Sequence, residues 1–226
     1  MSIKISRAVE TDAASVAASL CIGILSIPRS VNVDAMVVPP GEGENWRLLA
    51  AIRDWEEHVS QARFLLITGD NWVVAGKNGP DFTTESICMA PYNLARKDGV
   101  LVREYDDNTA TQAVWAAENM RDLNLSSFSL HVSPYHLVRW YLTFIKTAEK
   151  MGKRFAVIPA PTPSSMDRIV PLSGLTPWDL VAGEIRRIKA YSEKENPDVA
   201  TLPELQEYLT WLWEQPALRS YKERAE

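Results

Sequence analysis

Apolar residues in this chain gather into short unbroken runs, and longer stretches with helical spacing lie between them. VDAMVV (33–38), RFLLIT (63–68), GVLVREY (99–105), SFSLHV (127–132) and RFAVIPA (154–160) are short and lack clean period-two polarity, which predicts strands buried on both faces. WRLLAAIRDWEEHV (46–59) sets Leu48, Ile52, Trp55 and Val59 on one helical stripe. ESICMAPYNLARK (85–97) reads as a helix that Pro91 kinks or splits. DNTATQAVWAAENMRDL (107–123) is a helix with Thr109 and Gln112 at capping-box spacing. PYHLVRWYLTFIKTAEKM (134–151) is a helix with Leu137, Trp140, Tyr141, Phe144, Ile145, Ala148 and Met151 on its apolar stripe. Strands alternating with helices predict an α/β fold with a mainly parallel sheet of about five strands, covered on both faces.

The two ends of the chain differ from this middle. Residues 13–27, AASVAASLCIGILSI, form an apolar run of 15 residues, short of the ~20 that span a bilayer. Glu10 and Asp12 precede it where a secretory signal carries positive charge, and Leu20 stands before Cys21 where a lipoprotein signal carries a small residue. The expectation is an N-terminal helical segment over 1–32, no transmembrane span and a cytoplasmic protein. After the core at 33–160 comes a Pro- and Ser-rich connection, and then two helices at about 178–193 and 202–215. The segment 161–226 is expected to cap the sheet within a single domain.

Composition narrows the function. The formal net charge is −5, which argues against a general nucleic-acid binder with a basic face. The two cysteines match no zinc spacing, and three histidines are too few for a multi-histidine metal centre. No metal held by protein ligands is expected.

In open parallel sheets ligands bind beyond the carboxyl ends of the strands. The loops at that end carry the polar residues: GEGENWR with Gly41, Gly43 and Arg47; TGDN with Gly69 and Asp70; a long loop, holding a short strand at 72–74, that ends in FTTES with Glu85; EYDDNT with Asp106, Asn108 and Thr109; and SPYHLVR with Ser133, His136 and Arg139. Ser133 is an N-cap candidate and Pro134 suits a first helical turn. His136 and Arg139 then share a helix face at the positive end of the dipole, where an anion gains from the dipole, the free N–H groups and the guanidinium together. Every one of these residues also has a structural reading. Arg139 pairs with Glu85 or Asp106, Asn108 and Thr109 cap a helix, Asp70 is a turn residue, and His136 is simply hydrogen-bonded. His131 within a strand reads as structural and His58 as solvated. Convergence of five loops on one rim favours a site. No nucleophile elbow is present, so a triad hydrolase is not expected.

The motifs VVPPGEG (37–43) with Arg47, ITGDN (67–71), TTES (83–86), EYDDNTATQA (104–113) and VSPYHLVR (132–139) resemble those of the DUF218 family, also called YdcF-like or SanA/ElyC-like. The resemblance covers about residues 33–160, and the Arg- and Tyr-bearing helix near 184–191 extends it. Pro39 and Pro40 replace the family's glycines and remove backbone donors from that loop. The resemblance implies a Rossmann-like three-layer α/β/α fold and a charged cleft built from Arg47, Glu85, Asn108, Thr109, His136 and Arg139. It implies nucleotide-type ligands such as S-adenosylmethionine, and a link to the cell envelope.

Two functions compete. In the first, an enzyme acts on a small anionic substrate carrying phosphate or a nucleotide, by group transfer or hydrolysis. His136 and Glu85 would be catalytic. Arg47, Asp70, Asn108, Thr109, Ser133 and Arg139 would bind substrate, and Gly41, Gly43 and Gly69 a cofactor. In the second, the same cleft belongs to a non-catalytic ligand-binding module or an envelope-associated factor. No nucleic-acid partner is expected in either.

Overall fold

The computed structural model describes residues 13–27, 31–41, 43–69 and 83–225. Asp70 and the expected short strand at 72–74 lie outside them. Five strands, β1 (Ala35–Val38), β2 (Phe64–Ile67), β3 (Val100–Val102), β4 (Ser127–Leu130) and β5 (Ala156–Pro159), form one sheet in the order β3-β2-β1-β4-β5. All four pairings are parallel. Helices α1 (Ala13–Leu25), α2 (Asn45–Glu56), α3 (Thr84–Cys88), α4 (Thr109–Asp122), α5 (Pro134–Lys150), α6 (Pro177–Ser192), α7 (Leu202–Trp213) and α8 (Pro216–Ala225) surround it. The architecture is a three-layer, Rossmann-like α/β fold.

The chain steps from β1 outward to β2 and from β4 outward in the other direction to β5. Right-handed crossovers in opposite directions place α2 and α5 on opposite faces. They also open a crevice between the carboxyl ends of β1 and β4, where the strand order reverses. The α5 face is aromatic: Phe128 meets Phe144 edge-on at 4.6 Å between ring centres, and Trp140 stacks on Phe144 at 5.6 Å. The Tyr141 hydroxyl donates to the Val157 carbonyl at 3.0 Å, and Tyr208 of α7 donates to the Phe155 carbonyl at 2.7 Å. The C-terminal helices are therefore fastened to the sheet edge. Helix α1 also belongs to the core, with Leu20 and Ile24 buried and Leu209 of α7 against Gly23. Among the described residues no helix is long and apolar enough to cross a membrane.

Several local expectations need correction. The helix expected over 85–97 is the five-residue α3, and the chain turns at the cis Ala90–Pro91 bond. The capping box of α4 is formed by Asn108 and Thr111 instead of Thr109 and Gln112; Gln112 reaches the Gly69 carbonyl instead. Val59 lies beyond α2 and is exposed. Ser133 begins α5, but its hydroxyl caps no helical N–H because it is engaged elsewhere.

Candidate functional site

A cleft of about 210 Å³ opens at the switch point. Its walls come from the loop after β1, the loop after β3 with the start of α4, the first turns of α5, and the inward face of α6. Two buried ionic networks form these walls.

The first network closes the β1 loop onto α5. Arg47 and Glu44, three residues apart on the start of α2, form a fully buried ion pair. Arg47 Nε donates to Ser133 Oγ at 2.8 Å, and Ser133 donates in turn to Glu44 Oε1 at 2.5 Å. Tyr135 donates its hydroxyl proton to Glu44 Oε2 at 2.8 Å, and Arg47 Nη1 reaches the Pro39 carbonyl at 3.3 Å. Arg47 thus lines the cleft with its charge already balanced by Glu44. Ser133 is fully buried behind it. Gly41, at φ 79°, lines the cleft beside Arg47; a Cβ there would overlap the guanidinium. Gly43 donates its N–H to the Gly41 carbonyl at 2.7 Å, so that donor belongs to the turn. Gly69 sits where a Cβ would strike the Tyr105 backbone, and its role is close packing of two loops.

The second network holds the chemistry. Glu184 of α6 is 4% exposed and receives donors on both oxygens. Oε2 accepts from Arg139 Nε at 2.5 Å and from His136 Nδ1 at 3.0 Å, while Oε1 accepts from Arg139 Nη2 at 3.1 Å and Arg187 Nη1 at 2.8 Å. A carboxylate only accepts, so the imidazole proton resides on Nδ1. Arg139 Nη2 also lies 3.0 Å from Nδ1, but its acceptor is Oε1. Nε2 of His136 then carries the free lone pair. It faces Thr109 Oγ1 at 3.5 Å, and Thr109 accepts from Arg139 Nη1 at 2.8 Å.

The electrostatics follow from burial and these partners. Burial pushes His136 down, Arg139 pushes it further, and Glu184 pulls the other way; the net result is about 4. The imidazole is therefore neutral at pH 7. Burial alone would raise the Glu184 carboxyl, but His136 and Arg139 hold it far below the usual carboxylate range. Glu184 also explains how a cation is tolerated at the start of α5: its carboxylate answers both the positive helix end and the guanidinium. With His136 neutral, Arg139 and Arg187 together exceed Glu184 by one positive charge, since 2 − 1 = 1. Arg187 is the accessible member, its side chain 45% exposed.

Of the residues singled out in the sequence, Gly41, Arg47, Asn108, Thr109, His136 and Arg139 line this cleft. Asn108 uses its side-chain oxygen to cap α4, accepting from the N–H groups of Ala110 and Thr111. Glu85 does not meet His136. It is exposed in the first turn of α3 and outside the cleft lining, and the carboxylate on His136 is Glu184. Asp106, named in the sequence as a residue of this rim, lines the cleft as well, and Gln112, Tyr135, Leu180, Glu184, Arg187 and Tyr191 line it without having been chosen as site residues. The spacing Leu180, Glu184, Arg187, Tyr191 is one helical face and was readable as such. Among the described residues no group of His, Cys, Asp and Glu can hold a metal ion.

A neutral histidine with one nitrogen fixed by a carboxylate and the other in only a long, 3.5 Å contact with the Thr109 hydroxyl can accept and return a proton. The excess cation beside it can hold an anion. No family model matches the chain, and no curated protein matches it.

Proposed function

We propose that this chain is a DUF218-like enzyme that acts on a small anionic, phosphate-containing substrate by group transfer or hydrolysis. The observation that carries the reading is the buried Glu184–His136 pair in the cleft wall beside Arg139 and Arg187, a network with one positive charge in excess. Glu184 holds the Nδ1–H tautomer. Nε2 takes a proton from the attacking hydroxyl or water and returns it to the leaving group. Arg187 and Arg139 bind the anion, and Thr109 steadies Nε2 and Arg139 together. The resemblance of the loop motifs to DUF218 proteins supports the same cleft. The cleft is smaller than the ~300–1,000 Å³ of pockets that enclose drug-sized ligands, which favours a small phosphate ester over a whole nucleotide or S-adenosylmethionine. A cytoplasmic location belongs to this reading.

A ligand-binding module is the second reading. It is favoured by the engagement of both Arg47 and Arg139 with protein carboxylates, an arrangement that serves retention of a ligand as well as its turnover. Turnover separates the two. A screen of phosphate esters on wild type and His136→Gln is expected to find a substrate whose kcat falls by about 10²–10⁴ in the variant, with Arg187→Ala raising KM. Retained turnover in His136→Gln removes the acid–base role. A ligand recovered unchanged at saturation supports the binding module.

A further inference from the structure

A second chamber, of about 290 Å³, lies between α2 and the connection that follows β5, over the face of β4 that carries Ser129 and His131. Its outer wall is held in place. The Ala160 N–H donates to the Leu130 carbonyl and the Thr162 N–H to the Val132 carbonyl, both at 2.9 Å, and Arg168 stacks on Trp46 of α2 at 3.9 Å. Ala50, Ala160, Pro161 and Pro163 give the walls an apolar lining. Two polar groups of the walls lack a hydrogen-bond partner among the described residues. The Asp54 carboxylate is 31% exposed and accepts no hydrogen bond; Arg53 Nε approaches it only to 3.9 Å. His131 meets Ser129 Oγ through Nε2 at 3.0 Å, and its Nδ1 is unpartnered. Thr162 Oγ1 in the same wall is sealed from solvent, but Nδ1 is not among the sealed atoms and opens on the chamber. Nδ1 and Asp54 Oδ2 stand 3.9 Å apart, too far for a direct hydrogen bond.

We infer that this chamber is a second ligand site, which takes a small neutral alcohol whose hydroxyl bridges His131 Nδ1 and Asp54 Oδ2. The inference is independent of the anion cleft. Ser129 Oγ has no other acceptor among the described residues, so its proton goes to Nε2 and the ring proton stays on Nδ1. The chamber then offers one donor, Nδ1–H, and one acceptor, Oδ2. An oxygen set off the line between them can lie about 2.9 Å from each. A hydroxyl there accepts from Nδ1–H and donates to Oδ2, and the chain from Ser129 through His131 to Asp54 is satisfied at every atom. A carbonyl only accepts and leaves the carboxylate unanswered. An ammonium only donates and meets the Nδ1 proton head-on. With His131 neutral, Arg53 and Asp54 cancel, since 1 − 1 = 0, and an ion gains no advantage. One water takes a share of about 30 Å³, a small part of the chamber, and apolar walls favour a carbon body over further water.

Titration with cyclohexanol, cyclohexanone and cyclohexylammonium, followed by NMR of the His131 and His136 rings, tests this. The three compounds share one apolar body and differ in the polar group. Cyclohexanol is expected to shift the His131 resonance saturably and to leave His136 in place. It is expected to bind about tenfold or more tightly than cyclohexanone, the effect of one hydrogen bond to a charged acceptor, and more tightly than cyclohexylammonium. Asp54→Ala is expected to make the alcohol and the ketone bind alike. Equal affinity of wild type for alcohol and ketone overturns the inference, and this comparison stands even if the variant does not fold. Cyclohexylammonium binding as tightly as cyclohexanol also overturns it, because the lone pair would then lie on Nδ1. A His131 resonance that no compound moves, or an alcohol preference that survives in Asp54→Ala, overturns it as well and leaves the chamber to solvent. The anion cleft stands or falls separately, on His136 and Arg187.

Discussion

His131 and His136 bracket the junction between β4 and α5, and both are nearly inaccessible, at 5% and 8% exposure. Both are pushed down to about 4. The causes differ. His131 hangs from the sheet face toward α2, where Ser129 Oγ is 3.0 Å from Nε2 and Asp54 Oδ2 is 3.9 Å from Nδ1, beyond hydrogen-bond reach. Burial alone sets its behaviour. His136 sits on the other side, among Arg139, Glu184 and Arg187, and its state is a balance between burial, cations and a bonded carboxylate. The same low value thus describes an imidazole that is merely enclosed and one that is held in a fixed tautomer beside a charged cleft. Low proton affinity by itself does not distinguish the two histidines; the carboxylate bonded to Nδ1 of His136 does.

The largest separation of the two sites should come from removing their carboxylates. Glu184→Gln leaves the Arg139 guanidinium buried without its counter-charge, and breaking a buried pair costs about 3–5 kcal/mol. Asp54→Asn removes a carboxylate that is 31% exposed and unbonded to His131, with an expected loss of at most about 1 kcal/mol. Denaturant unfolding of both variants measures the difference. Equal losses would mean that the Glu184 network is not a unit.

The alternation of strands and helices was legible because each element carries its own period, and it led directly to the parallel sheet and to the loops at its carboxyl end. His136 and Arg139 were also readable, since their spacing and helix start are local. Their partner was not. Glu184 is 48 residues beyond His136 in the chain, on a helix read as a cap, whereas Glu85 occupied a nearer loop of the same rim. Local spacing can propose that two residues share a face but cannot choose among distant carboxylates. Some signals were present and unused. Glu44 and Arg47 are at i, i+3, the spacing of their ion pair. Ser127, Ser129 and His131 alternate with Phe128 and Leu130, so β4 does carry a period of two, with its polar face toward α2.

Acid should sharpen the comparison at intermediate scale. An unfolded histidine binds a proton below about 6.5, whereas each folded one resists until about 4. Between these values the unfolded state holds more protons, so stability falls as pH drops from 6.5 toward 4 and is insensitive to these groups above 6.5. Each histidine accounts for roughly 3 kcal/mol over that window. Glu184 stays ionised in the folded protein, but its unfolded carboxyl begins to bind a proton at the acid end of the window, near about 4.3, so it adds slope of the same sign there. His131→Asn is expected to remove about half of the combined histidine dependence without touching the cleft. An unchanged slope would show that His131 is protonated in the folded protein and that the two sites are not alike even in charge.

The smallest effect tests whether Ser129 does for His131 what Glu184 does for His136. Ser129 Oγ and His131 Nε2 form one neutral hydrogen bond, 3.0 Å long and buried, and such a bond contributes about 1 kcal/mol. Ser129→Ala should therefore cost about that much and leave the acid dependence of stability where it was, because burial and not the hydroxyl holds His131 neutral. The corresponding change at the other histidine, Glu184→Gln, removes the carboxylate that favours the charged imidazole and should push His136 lower still. NMR titration of the two ring resonances reads both outcomes in one experiment. A His131 resonance that shifts its midpoint in Ser129→Ala would make the hydroxyl a true controlling partner, and the contrast between an enclosed and a directed histidine would fail.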